Sequence, residues 1–327
     1  MATRRVVKKS LGFREFYIWE AFEEFYAEKE ATNRSLATLR NYKKSLELFC
    51  RFNDFGEDTP LSDVEQNHFY KWINSMKLDG VSPASINHYL RDLRTFFYWC
   101  MDADRVYIET PFKIQMISGQ EEPPKLFSEE DIELLLEKPR RNDSFVDWRT
   151  WAIVNWVLAT GNRAATICEV RLNDIDFREK EITLLHTKNK KAQIIPMSSS
   201  LETVLKEYTR FWRKEAPKGG WLFPNIGEEQ LTTYALRHSF RRYCLSRGVE
   251  QTNIHGLRHS FAKGWVQNNG NMFTLQKLLG HSTLEMTRKY VKLYSEDIKD
   301  DFDKFNPLDT MKRNTKRTQT IKRGKDF

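Results

Sequence analysis

The chain contains no run of about 18 or more apolar residues, and its longest candidate, Trp151 to Ala159, is broken by Asn155, so no spanning helix is expected. Its first ten residues, Met-Ala-Thr-Arg-Arg-Val-Val-Lys-Lys-Ser, carry charge with no apolar segment behind it, which excludes a signal peptide and leads us to expect a cytoplasmic protein. Cysteine is scarce. The 4 present, Cys50, Cys100, Cys168 and Cys244, lie far apart, and none belongs to a C-x-x-C pair. That argues against a zinc centre or a disulfide framework, and no metal or cofactor is expected. Glycine and proline number only 14 and 10, so a fibrous or low-complexity chain is also excluded.

What the sequence does contain is length and positive charge. At 327 residues it is comfortable for two domains, each with its own core. A net charge of +8 and a pI near 9.1 favour a polyanionic partner. The first half reads as helices. In Ser35 to Phe52 the apolar positions Leu39, Tyr42, Leu46, Phe49 and Cys50 recur at helical spacing, with Arg40, Lys43, Lys44 and Arg51 on other faces. Asp63 to Met76 repeats the pattern. Ser82-Pro83 then starts a helix running to Met101 that carries Arg91 and Arg94 among aromatic residues. For any one Lys or Arg the plainer reading is a solvated face, but several basic faces in one small helical unit point to DNA backbone contact.

Periodicity is lost from 111 to 127, around Ser118-Gly119-Gln120-Glu121-Glu122-Pro123-Pro124, which reads as a linker. The expected division is a basic extension at 1–12, a helical domain at 13–110, the linker at 111–127, a second domain at 128–308 and a basic tail at 309–327. Ser128 opens the second domain with a capping box. An apolar helix, Phe145 to Thr160, should end at Gly161 in a left-handed conformation, leaving Arg163 at the entry to a helix over Ala164 to Val170. From Asp176 to Pro196 the period changes to alternation, with Ile182, Leu184 and His186 on one face and a lysine-rich turn, Lys188-Asn189-Lys190-Lys191. The chain then reads as helical to near Pro307.

One pentapeptide occurs twice, as Leu236-Arg237-His238-Ser239-Phe240 and as Leu257-Arg258-His259-Ser260-Phe261. Only the second has a histidine three residues before its arginine. On a helix His255 and Arg258 therefore share a face and can reach one ligand. Leu257, Phe261 and Trp265 form that helix's apolar stripe, with Arg258 near its edge, and Asn253 or Thr252 is placed to cap it. His255 then lies in the first turn, where backbone N–H groups favour a phosphate. Arg163, the hairpin lysines, His255, Arg258, His281 after Leu-Leu-Gly, and Tyr290 make one ordered set.

These boxes resemble the tyrosine recombinases of the phage-integrase and Xer type. The likeness runs through Thr160-Gly161-Asn162-Arg163, Thr187-Lys188-Asn189-Lys190-Lys191, His255-Gly256-Leu257-Arg258-His259, and Leu278-Leu279-Gly280-His281-Ser282 to Tyr290. Two departures stand out: Thr166 occupies the place of the family's usual acidic residue, and Asn162 replaces a leucine. The resemblance implies a mainly α fold with a small β-sheet, in which a SAM-like core-binding domain and a mixed α/β catalytic domain form a C-shaped clamp on DNA. It implies Tyr290 as nucleophile, Arg163 and Arg258 as a phosphate clamp, and Lys188, with Lys191 as fallback, as proton donor to the leaving 5′ oxygen. His255 would move the proton at the nucleophile and His281 would hydrogen-bond the phosphate.

Arg40, Lys43, Lys44, Arg91, Arg94, Lys190, Lys191, Arg237 and Arg241 are the expected DNA contacts. His259 reads as a structural neighbour, and His68, His88 and His186 as structural too. The implied partner is duplex DNA with specific core sites, bound by a homotetramer that exchanges its C-terminal helix, and neither a membrane nor a small-molecule substrate is expected. Two rivals are a DNA-binding protein of the same fold without the chemistry and a relaxing enzyme of the type IB topoisomerase class.

Overall fold

A computed structural model of the chain describes residues 15–102, 104–105, 107–119, 125–185 and 192–294. It divides between residues 122 and 123 into two compact units.

The first unit holds α1 (Ile18–Ala31), α2 (Leu36–Phe52), α3 (Gln66–Leu78) and α4 (Pro83–Cys100). Local chemistry fixes the helix starts. Ser35 Oγ accepts the Thr38 amide at 3.2 Å and Ser82 Oγ accepts the Ser85 amide at 3.3 Å, with Pro83 supplying a preset first turn. The helix expected over Asp63 to Met76 is instead a 3₁₀ turn at Leu61–Asp63 followed by α3, because Glu65 is extended and caps α3. His68 closes that cap by accepting the Glu65 amide on Nδ1 at 3.1 Å.

The core of this unit is aromatic. Phe49 stacks on Phe69 with ring centroids 4.5 Å apart, and Phe25, Phe96 and Phe97 fill the space between helices. Residues 111–119, inside the stretch that reads as a linker, pack onto this core: Ile114 is buried, and the Asn87 amide grips the Ile117 backbone at 2.9 and 3.0 Å.

The second unit contains α5 (Glu129–Leu136), α6 (Phe145–Thr160), α7 (Ala164–Ile167), β1 (Ile175–Asp176), β2 (Glu181–Leu184), β3 (Gln193–Pro196), α8 (Ser199–Trp212), α9 (Thr233–Ser246), α10 (Ile254–Gln267), α11 (Met272–Leu279) and α12 (Leu284–Tyr294). The strands form an antiparallel sheet in the order β1-β2-β3, with Ile182 opposite Ile195. Ile182 and Leu184 are buried as their alternation predicts; His186 and the turn that follows lie outside the described residues. Among the described residues the fold is thus mainly helical with one small sheet. No described helix is long and apolar enough to cross a membrane.

Helix α6 is the centre of this unit. Trp148, Trp151, Ile153, Val154, Trp156 and Val157 are all buried, and α5, α8, α9 and α10 pack around them. A helix apolar on every side is stable only when enclosed in this way. The expected helix over Ala164 to Val170 is the shorter α7, because backbone pairing to a neighbouring strand-like segment draws the chain out: the Leu222 amide donates to the Val170 carbonyl at 2.9 Å, and the Leu172 amide to the Gly220 carbonyl at 2.9 Å.

Gly161 ends α6 with φ +65°, and a Cβ there would lie 2.4 Å from Phe261 Cδ1 and 2.8 Å from Leu279 Cδ2. Left-handed strain and overpacking act together at this position. Gly161→Ala is expected to destabilise the second unit by roughly 2–5 kcal/mol. Urea unfolding followed by tryptophan fluorescence measures it, and a change within about 0.5 kcal/mol, the range of an ordinary surface substitution, would show that the space is not tight.

Candidate active site

The αL turn at Gly161 brings Arg163 to the N-cap of α7, with the buried Asn162 side chain accepting the Trp156 indole N–H at 2.9 Å. From there the Arg163 side chain reaches the end of α11. Its Nη1 donates to the carbonyls of Leu279 and Gly280 at 3.1 and 3.2 Å. These are the last carbonyls of a helix, which have no partner within it and carry the negative end of its dipole. They do the orienting that an acidic residue at position 166 would do, while Thr166 itself is buried. Gly280 takes φ +58°, which turns the chain so that Leu279 and Gly280 present these carbonyls and His281 follows directly.

Arg258 comes from α10. Its sequence position suggests the edge of the apolar stripe, but it is 2% exposed, inside the wall that the stripe builds. Nη1 donates to the Gly161 carbonyl at 2.7 Å, and Nη2 donates to the Leu279 carbonyl at 2.9 Å and meets His281 Nε2 at 2.9 Å. Burial, then the charge of Arg163, pushes the Arg258 pKa down to about 10, and burial lowers that of Arg163 as well.

A guanidinium only donates, so Nε2 of His281 must accept, and the ring proton must sit on Nδ1. Nδ1 then donates to Thr287 Oγ1, 2.9 Å away and completely buried. His281 is held neutral, its pKa pushed down to about 4 by desolvation and then by Arg258 and Arg163.

Asn253 caps α10, taking the His255 amide on Oδ1 at 3.1 Å. His255 stays an exposed residue. Its imidazole is nonetheless pushed down to about 4, first by desolvation and then by His259 and the cations Arg258, Arg163 and Arg237.

Tyr290, on α12, is 6% exposed. Its ring packs parallel to that of His281, with centroids 6.3 Å apart and planes within 6°, and Arg258 hydrogen-bonds it. Its hydroxyl lies 2.8 Å from Nδ1 of His259.

Five expected site residues, Arg163, His255, Arg258, His281 and Tyr290, are therefore gathered in one place. Lys188, Lys190 and Lys191 lie outside the described residues. The fold adds to this group His259, which reads from the sequence as a structural neighbour and lies against the Tyr290 hydroxyl. A signal was available, since residues four apart share a helix face and His259 follows His255 by four. Of the expected DNA contacts, Arg40, Lys43 and Lys44 are exposed on α2, Arg91 is exposed on α4, and Arg94 is half-buried over the Tyr98 ring. Arg237 and Arg241 are exposed on α9. Among the described residues, no three of His, Cys, Asp or Glu come together in a group that could hold a metal ion.

Comparison with known proteins places this geometry in context. The model of the phage integrase family matches residues 125–297, and that of the phage integrase N-terminal SAM-like domain matches residues 20–104. The tyrosine recombinase XerC of Thermodesulfovibrio yellowstonii is 28% identical over 301 residues, covering 90% of this chain and 97% of that protein. The tyrosine recombinase XerD of Listeria innocua is 25% identical over 279 residues, covering 84% and 93%. Among solved structures, the Tn1549 transposon integrase in complex with transposon right end DNA superposes with a TM-score of 0.70 at 18% identity, covering 92% of this chain and 99% of that one.

Proposed function

We propose that this chain, which belongs to the phage integrase family, cuts and rejoins duplex DNA through a 3′-phosphotyrosyl link at Tyr290. It is a site-specific tyrosine recombinase, an enzyme that transfers DNA strands. Attack by the phenol oxygen conserves the energy of the phosphodiester in the new bond, so rejoining needs no nucleotide. Arg163 and Arg258 clamp the nonbridging oxygens. Their fixed charge stabilises the charge that develops in the transition state, where one such donor is worth roughly 2.7–4 kcal/mol. The hydrogen bond that the resemblance assigns from His281 to the phosphate requires that ring to give up the Arg258 and Thr287 partners it holds here, and Lys188 protonates the departing 5′ oxygen.

The observation that carries the reading is Arg258, a buried guanidinium that hydrogen-bonds Tyr290, stands near a second guanidinium, and has no carboxylate among its described partners. Two like charges kept without a counterion favour an anion between them. The exposed basic residues of α2, α4 and α9 extend the proposal to the DNA backbone on either side, and a homotetramer on two sites with exchange of the C-terminal helix completes it. A cytoplasmic location follows from the same reading.

A duplex nicked near the cleavage point tests it, since loss of the short leaving fragment traps the intermediate. The chain should form a covalent adduct whose DNA-bearing peptide contains Tyr290. An adduct on another residue, or none on any plausible site, would refute the proposal and favour a protein that only binds DNA. Relaxation of supercoiled plasmid without strand exchange between sites would favour the topoisomerase class.

A further inference from the structure

The family resemblance gives His259 no task, yet its Nδ1 is 2.8 Å from the Tyr290 hydroxyl. Three observations bear on what it does there. Arg258, which can only donate, hydrogen-bonds the phenol, so the phenol oxygen accepts on that side, and the 2.8 Å contact lets its own hydrogen be donated to Nδ1. Both ring nitrogens of His281, the other imidazole against Tyr290, are engaged: Nε2 by Arg258 and Nδ1 by Thr287. Finally, His259 is half-buried, with His255 packed edge-on against its ring at 4.7 Å between centroids. That contact holds the imidazole in place.

We propose that His259 is the general base of the cleavage step, its Nδ1 taking the Tyr290 phenol proton as the phenol oxygen attacks phosphorus. The inference rests on Tyr290 being the nucleophile and moves the nucleophile-side proton from His255 to His259. In the forward step the Tyr290 oxygen–phosphorus bond forms, the phosphorus–O5′ bond breaks, the phenol proton passes to His259, and the 5′ oxygen takes a separate proton from Lys188. Rejoining reverses each transfer: the 5′ hydroxyl returns its proton to Lys188, and the His259 imidazolium reprotonates the leaving phenol.

The groups facing His259 are Arg258 and His255 from its own helix, Tyr290 from α12 and His281 from the turn before it, with Arg163 beyond them. Desolvation, then Arg258, holds the His259 pKa below its usual value. A lowered histidine pKa leaves the ring neutral and able to accept at pH 7; the ring is disabled only as pH falls through that lowered value. The cleavage rate should therefore have an acid limb that belongs to His259.

His259→Asn keeps an amide near Nδ1 that can hold the phenol but cannot carry its proton. Single-turnover cleavage of the nicked duplex is expected to slow by about 10²-fold at pH 7, the lower end for a general base. The acid limb should vanish, leaving a rate that climbs with pH as the phenol ionises unaided, while DNA affinity in a mobility shift stays the same. A bridging 5′-phosphorothioate, whose sulfur leaves without a proton, should not rescue the variant, because the defect lies on the other side of phosphorus. His259→Gln, read in the same way, guards against a folding defect in the Asn variant, and the melting temperatures of both are compared with the parent.

Four results would overturn the proposal: a wild-type rate and profile in a folded His259 variant; rescue by the phosphorothioate; an unchanged acid limb; or a limb that disappears instead in His255→Asn. An adduct in Tyr290→Phe would undo the reading beneath it, whereas an inert Tyr290→Phe beside an unimpaired His259→Asn would undo this inference alone.

Discussion

Tyr290→Phe is expected to lower the rate of covalent adduct formation by more than about 10⁴-fold, the order lost when an enzyme's nucleophile is removed. The change removes one oxygen and leaves the ring. That ring packs with Ala262, Leu275 and Leu279, against Phe261, Trp265 and Val266, and a phenylalanine keeps these contacts. The hydroxyl's partners, His259 Nδ1 and an Arg258 N–H, lose a hydrogen bond, which typically costs about 1–3 kcal/mol when a buried group is orphaned. Arg258 retains three other acceptors and His259 is half-buried, so the lower end applies. Binding should survive, since phosphate contacts from the exposed basic residues do not depend on the phenol oxygen. Gel separation of adduct over time with the nicked duplex, beside a mobility shift on the intact one, reads both quantities. Adduct at a comparable rate would place the nucleophile on another residue.

The parts of this protein that were legible in its sequence are those fixed by local chemistry or by spacing along one helix. Ser35, Ser82 and Ser128 announce helix starts because a cap binds an amide three residues away, and each does so here. Gly161 announces a left-handed stop. His255 and Arg258 fall together because three residues make nearly one turn.

What was not legible depends on backbone and on distance in the chain. Thr166 stands where the family pattern expects a carboxylate, yet the support for Arg163 is two carbonyls at the end of α11, more than a hundred residues away. A carbonyl has no side-chain signature, so no motif could have named Leu279 and Gly280. His259 was set aside for a related reason: its partner, Tyr290, sits on another helix, and the fold rather than the spacing joins them. The segment 111–119 misled in the opposite sense. Its Gly, Ser and Pro neighbours mark a linker, while Ile114 and Ile117 belong to the first core through burial and through Asn87.

The second large effect is expected at Arg258, where Arg258→Lys tests whether charge or geometry stabilises the reacting phosphate. A guanidinium has five N–H donors fanned in one plane. This one spends three of the five, Nη1 on the Gly161 carbonyl and Nη2 on the Leu279 carbonyl and His281 Nε2, which leaves two for the Tyr290 hydroxyl and a phosphate. A lysine carries the same charge on a single nitrogen whose three hydrogens radiate from one point, and it cannot reach two carbonyls, an imidazole and a phosphate together. Losing the bracing also frees His281, whose tautomer is set by accepting from Arg258. Cleavage by Arg258→Lys should therefore fall about 10²–10³-fold, the range for removal of one preorganised donor to a developing oxyanion. The buried Arg258 and the half-buried Arg163 also repel each other, which is part of why the Arg258 pKa is drawn down to about 10. An ammonium in the same place meets the same repulsion and desolvation from a lower intrinsic pKa, so it gives up its proton more readily. The Lys variant should accordingly recover activity as pH falls, at least until the site histidines protonate, whereas the parent should not. A wild-type rate in the Lys variant would show that positive charge alone suffices and that the carbonyl brace has no part in the chemistry.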